Sequence, residues 1–171
     1  PVAPGENYYT FSAGNTDFFI LDTRTYRSEN GSPAGPAKTM LGAVQKQALK
    51  DWLLTSEAAF KFIVSSVPFN QHGNTGSAEE GQDNWNNFQN ERAEIFDLIR
   101  DRCIPGVMLL TGDQHWAGVF RLPYAQPIEL YEFMPNPLAV PLRPMTESND
   151  PDILFKDNTK LVYGFFDIDT T

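Results

Sequence analysis

An α/β fold is predicted from three observations: a hairpin-like pair of aromatic and β-branched runs, two amphipathic helical segments, and continuous apolar runs of strand length after each helix. Strand, helix, strand, helix, strand in that order describes strands lying side by side, with ligands expected at their carboxyl ends. Tyr8 to Ala13 and Asp17 to Asp22 are the hairpin strands, separated by the turn Gly14-Asn15-Thr16. A Ser-, Gly- and Pro-rich loop from Ser28 to Ala37 follows. Val44, Ala48, Leu49, Trp52 and Leu53 then recur at helical spacing. Phe60 to Val67 is a strand whose unbroken apolar character suits burial on both faces, and Pro68 ends it.

From Pro68 to Phe88 no hydrophobic period holds, and a loop of this length is expected to be functional or mobile. A second helix is predicted from Gln89 to Asp101 on Ile95, Phe96, Leu98 and Ile99, closed by Pro105-Gly106. Val107 to Thr111 reads as a short buried strand, with Gly112-Asp113-Gln114-His115-Trp116 as the turn at its end. Further strands are expected at Gly118 to Leu122, Ile128 to Phe133 and Leu161 to Ile168. The stretch Met134 to Asn158, with its prolines, reads as irregular connection.

Composition narrows the function. The 171 residues carry 22 acidic and 13 basic side chains, a net charge of −9, and no basic stripe, which argues against nucleic acid and anionic membranes. With 41% hydrophobic and 13% aromatic residues the chain can bury a core, so disorder is excluded for most of it. No apolar run approaches the ~20 residues of a membrane helix. The one cysteine, Cys103, rules out an intramolecular disulfide and is expected to be a small core residue. Asn30-Gly31-Ser32 is a glycosylation sequon in the Gly/Pro/Ser-rich loop, suited to a secreted protein.

Asp113 and His115 lie two residues apart after a buried strand, so a bend can aim a carboxylate and an imidazole at one cleft. Those donors suit zinc, iron or manganese, but a hydrolytic site needs at least three protein ligands per ion. The alternative is a turn cap and a local hydrogen bond. Arg24 can hold a substrate oxyanion with its planar fork, or form a surface ion pair with Asp22 or Glu29. Trp85 and Phe88 either close over a ligand or pack beneath the polar loop, and His72 reads as an exposed loop residue. Ser65-Ser66 lacks a G-x-S-x-G elbow, which excludes a serine hydrolase of that type.

Several blocks together resemble the PhoD-type alkaline phosphatases and phosphodiesterases of the calcineurin-like metallophosphoesterase superfamily. They are Tyr8-Tyr9-Thr10-Phe11-Ser12, Phe18 through Arg27, Thr39-Met40-Leu41-Gly42-Ala43, Ser65-Ser66-Val67-Pro68-Phe69, Asp83-Asn84-Trp85, Glu91-Arg92, Thr111 through Trp116, Leu130-Tyr131-Glu132-Phe133 and Tyr163-Gly164-Phe165. The resemblance implies part of a four-layer αββα sandwich. It implies a bimetal centre of iron and calcium, with zinc, manganese or magnesium as alternatives, to which Asp113 and His115 donate as catalytic metal ligands. Arg24 and Trp85 become the substrate-binding candidates, and the substrate a phosphate ester. Ser66-Val67-Pro68 stands where broader relatives place a His-x-Pro ligand. The family's opening metal-binding blocks and its last strand have no counterpart here. The expectation is therefore the C-terminal half of one domain, partnered by the N-terminal half as a second chain, secreted, and inactive alone. The rival reading is a non-catalytic binding or structural module on the same fold. A calcium-dependent binding domain lacks the D-x-D-x-D-G loop it would need.

Overall fold

The computed structural model describes residues 7–72, 83–123, 128–135, 137–144 and 149–169. Chain order is β1 (Tyr9–Ala13), β2 (Thr16–Ile20), α1 (Gly42–Thr55), β3 (Phe60–Val64), a 3₁₀ turn (Trp85–Asn87), α2 (Gln89–Asp101), β4 (Val107–Leu110), β5 (Ala117–Leu122), β6 (Leu130–Met134) and β7 (Ile153–Asp157). The strands make one seven-stranded sheet in the order β1-β2-β3-β4-β6-β5-β7. β2, β3, β4 and β6 run parallel, while β1, β5 and β7 join antiparallel. The predicted α/β class is the one observed, and the helices follow from the crossovers that parallel strands require.

Strand register sorts the side chains into two faces. Phe19, Ile63, Leu109 and Glu132 stand in one row. The apolar members of that row pack with Leu49 and Leu53 of α1 and with Ile95, Phe96 and Ile99 of α2 to form the core. The opposite row, Phe18, Phe62, Met108 and Tyr131, with Val64, Leu110 and Phe133 one step further, faces away from both helices. Over that second face lies the segment after β7, whose Phe166 ring meets Phe62 and Phe133 edge-on at 5.7 and 5.1 Å. A groove of about 360 Å³ remains there between Phe133, Phe155, Tyr163 and Phe165. The sheet therefore has a helical layer on one face and a partly covered apolar surface on the other.

Three expectations are corrected. Ile153–Asp157, inside the stretch read as irregular, is a strand because it takes the outer edge of β5. Leu161 to Ile168, read as a strand, forms no ladder and crosses the sheet face instead. Its Gly164 approaches so closely that a Cβ there would sit 2.8 Å from the Pro135 side chain. Cys103 is exposed rather than part of the core, because it occupies the left-handed turn ending α2 (φ 48°) and sends Ile104 inward in its place. Within the polar loop, residues 73–82 lie outside the described residues.

Candidate functional site

The carboxyl ends of β2, β3 and β4 converge on one edge of the sheet, and each supplies a loop to it. After β2, the Asp22 carboxylate accepts the backbone N–H groups of Arg24 and Thr25 at 2.9 and 3.0 Å, a turn that its short acidic side chain favours. Gln45 of α1 locks this loop by accepting from Asp22 N at 2.8 Å and donating to Asp22 O at 2.9 Å. Burial raises the Asp22 carboxyl, but the hydrogen bonds outweigh it and hold the group below its usual range. The result is a rigid base that projects Arg24 toward solvent.

Arg24 donates through Nη1 to both oxygens of Asp83, at 3.0 and 2.8 Å, and Arg27 donates to the same carboxylate. The ion-pair partner is Asp83 and not the Asp22 or Glu29 expected from local sequence. Burial pushes Asp83 up, and the two guanidinium groups more than reverse it, so it stays ionised. Arg24 and Arg27 thus share one carboxylate, in a chain that is acidic overall.

Beyond β4, Asp113 and His115 both adopt left-handed backbone, with φ of 81° and 59°. Such angles are costly for residues bearing a Cβ, so the surrounding contacts hold this bend open. Burial and then the charge of Asp83 raise the Asp113 carboxyl, while Arg24, His115 and Arg143 pull against them. Asp113 is thus within electrostatic reach of all four. The His115 Nδ1 lies 3.0 Å from the Pro141 carbonyl, and Arg143 N donates to His115 O at 3.2 Å. The structure brings Arg24, Asp113 and His115 to one neighbourhood, and adds Arg27, Asp83 and Arg143, none of which was predicted.

Trp85 is not at that surface. It is fully buried, stacked on Phe69 at 4.5 Å, with its indole N–H on Ser65 Oγ at 3.1 Å. Phe88 is buried as well, so packing beneath the loop is the reading the geometry favours for both aromatics. His72 is half-buried rather than exposed, stacked on Phe120 at 5.9 Å with Nε2 3.4 Å from Asp150. Ser66 Oγ pairs with Thr23 Oγ1 at 2.5 Å, tying the first two loops together.

A buried acid braces the site from below. Glu132, in the middle of β6, accepts Phe69 N at 2.9 Å, Asn70 N at 2.7 Å and Thr111 Oγ1 at 2.6 Å. It fastens the loop after β3 to the end of β4. A single acid inside the apolar strand Leu130-Tyr131-Glu132-Phe133-Met134 was the signal available for it.

The Asp113 carboxylate and the His115 imidazole, within electrostatic reach of each other, are donor types that suit a cation. Among the described residues no group of three or more His, Cys, Asp or Glu is arranged to hold a metal ion. Asp113 and His115 supply two such donors, one short of the three protein ligands a hydrolytic ion needs. No described helix is long and apolar enough to cross a membrane.

A parallel-centred sheet with acidic, imidazole and guanidinium groups at its carboxyl edge defines an α/β protein with a polar site there. The chain belongs to the PhoD-like phosphatase family, whose model matches residues 2–170. Alkaline phosphatase D of Bacillus subtilis (strain 168) is 29% identical over 126 residues, which is 65% of this chain and 22% of that protein. The solved structure of PhoD superposes with a TM-score of 0.70 at 22% identity, over 90% of this chain and 34% of that one. GAP50, the anchor in the inner membrane complex of Plasmodium, gives a TM-score of 0.52 at 13% identity, over 90% of this chain and 44% of that one. At such identities the two structures share the fold alone. The chain spans roughly a fifth of the length of the curated relative, 22%.

Proposed function

We propose that this chain forms part of a metal-dependent phosphoric ester hydrolase of the alkaline phosphatase and phosphodiesterase type. The observation that carries the reading is the family match across residues 2–170 combined with Asp113 and His115 at the β4 carboxyl end. Asp113 and His115 are the groups that would hold a bimetal centre, with iron and calcium as the pair and zinc, manganese or magnesium as substitutes. Bound there, such cations would supply an activated water and neutralise phosphoryl charge.

The chain's own residues do the rest. Arg24, half-exposed and hinged on Asp83, orients a phosphoryl oxygen through the N–H groups that Asp83 leaves unused. The left-handed bend at residues 113 and 115 holds both groups at the β4 end within electrostatic reach of each other, which lowers the cost of ordering them when substrate arrives. Buried Trp85 takes no part in substrate contact in this reading. The remaining ligands come from polypeptide beyond these residues, the N-terminal half of the same domain, so the 171 residues alone are inactive. That expectation is supported by the two-donor set and by the 22% coverage of the relative. The Asn30-Gly31-Ser32 sequon suits a secreted enzyme.

The fold also carries the rival reading, since function resides in sites and not in folds. Hydrolysis of p-nitrophenyl phosphate and its diester by the full-length protein separates the two. His115→Ala should lower kcat/KM by about a hundredfold or more, equal to about 3 kcal/mol of lost charge stabilisation. A protein with no phosphoesterase activity in any divalent metal sinks the proposal and favours the binding module.

A further inference from the structure

The geometry points to the Pro141 carbonyl as the positioning group that selects which ring nitrogen His115 presents: Nδ1 keeps its proton, and Nε2 carries the lone pair offered to the site. A carbonyl oxygen can only accept, so at 3.0 Å from it Nδ1 must be the donor. In the neutral ring the other nitrogen is then the acceptor. Free histidine in water favours the opposite arrangement, with the proton on Nε2, so this pairing reverses the intrinsic preference.

The carbonyl is held by a strap, residues 137–144, that grips His115 twice. One grip is the ring contact. The other is Arg143 N–H on His115 O at 3.2 Å, which ties down the left-handed residue (φ 59°). Both ends of the strap are fastened by the segment that follows β7. Val162 N donates to Pro137 O at 3.1 Å, and Asn158 Nδ2 donates to Arg143 O at 3.4 Å. Left-handed backbone is unfavourable at a residue with a Cβ, and the strap supplies contacts to ring and main chain that offset it. Oriented this way, a histidine is a better and more selective donor than a freely rotating one, because ring angle and tautomer are settled before any ligand arrives. The tautomer follows from the strap alone. Only its use, presenting Nε2 to a cation, rests on the proposed function.

The test is long-range ¹H–¹⁵N correlation on full-length protein labelled with ¹⁵N-histidine and stripped of metal, at mildly alkaline pH. His115 signals are those lost in His115→Gln. The expected result is a protonated, pyrrole-like Nδ1 and an unprotonated, pyridine-like Nε2. A protonated Nε2, or two averaged nitrogens, overturns the inference. The double variant Pro141→Gly/Asn158→Ala should move both His115 nitrogens toward averaging while the His72 signals and the far-UV circular dichroism stay unchanged. Unmoved His115 signals in that folded variant would overturn the strap's role. Zn²⁺ alone should then shift Nε2 and leave the Nδ1 proton in place, and coordination through Nδ1 would refute the assignment. If the tautomer is as stated but Zn²⁺ shifts neither nitrogen, the donor role in the proposed function fails and the positioning inference survives.

Discussion

Replacing Glu132 by Leu tests whether the site's loops are braced by one buried acid. The side chain is fully buried, and its carboxylate accepts Phe69 N, Asn70 N and Thr111 Oγ1. Leucine matches its bulk but accepts nothing. Two backbone N–H groups then lose their partner in a dry interior, at roughly 1–3 kcal/mol each. The Thr111 hydroxyl can rotate to another acceptor and adds less. Burial pushes the Glu132 carboxyl up despite its hydrogen bonds, so relief of carboxylate desolvation returns part of the loss. The net expectation is about 3 kcal/mol of destabilisation. With a urea m-value of roughly 2 kcal/mol/M for a domain of this size, the midpoint should fall by about 1.5 M at unchanged slope. Glu132→Gln keeps one acceptor oxygen and should fall by about half as much. A midpoint lowered by less than about 0.3 M for Glu132→Leu would refute the bracing argument.

Two other outcomes follow from the same structure. The carboxylate of Asp17 accepts Ser12 Oγ and Ser56 Oγ, both at 2.6 Å, and these hydrogen bonds hold it below the ordinary 3.8. An unfolded chain then binds more protons than the folded one in that range, so this contribution is present above 3.8 and is lost as pH falls through the lower folded value. Asp17→Asn should therefore cost about 1 kcal/mol or less at neutral pH and progressively less under acid, read from urea midpoints; a constant cost at all pH values would contradict the sign. On the sheet face away from the helices, Tyr163 and Phe165 are 80% and 84% exposed beside the Phe133 groove. The 171-residue chain alone should self-associate in sedimentation velocity. Tyr163→Ser/Phe165→Ser should weaken that association, and a monomeric parent chain would show that the face needs no cover.

What was legible in the sequence was what local pattern encodes. Phe18-Phe19-Ile20 and Phe62-Ile63-Val64 are strand signals by themselves, and Leu49, Leu53, Ile95 and Ile99 mark helical faces by spacing. Asp113 and His115 stood out because a strand end and a turn place them together. What was not legible depends on pairing between distant segments. Ile153–Asp157 is a strand only because β5 has a vacant edge, whereas the more apolar Leu161 to Ile168 finds a sheet face and no free ladder. Arg24 and Asp83 are 59 residues apart, so nothing local could identify the partner. Trp85 misled for a related reason: an aromatic in a polar stretch says nothing of the Phe69 ring and Ser65 hydroxyl that enclose it. The apolar neighbours of Cys103 point to the core, but a left-handed helix end decides direction residue by residue.

The most direct test of the central claim is the metal content of the full-length protein, measured beside its phosphate ester hydrolysis, for the parent and for Asp113→Asn and His115→Ala. The account predicts that the parent holds metal and hydrolyses the ester, and that each substitution lowers both together. Variants that keep the parent's metal and its full rate would show that Asp113 and His115 are not the donors.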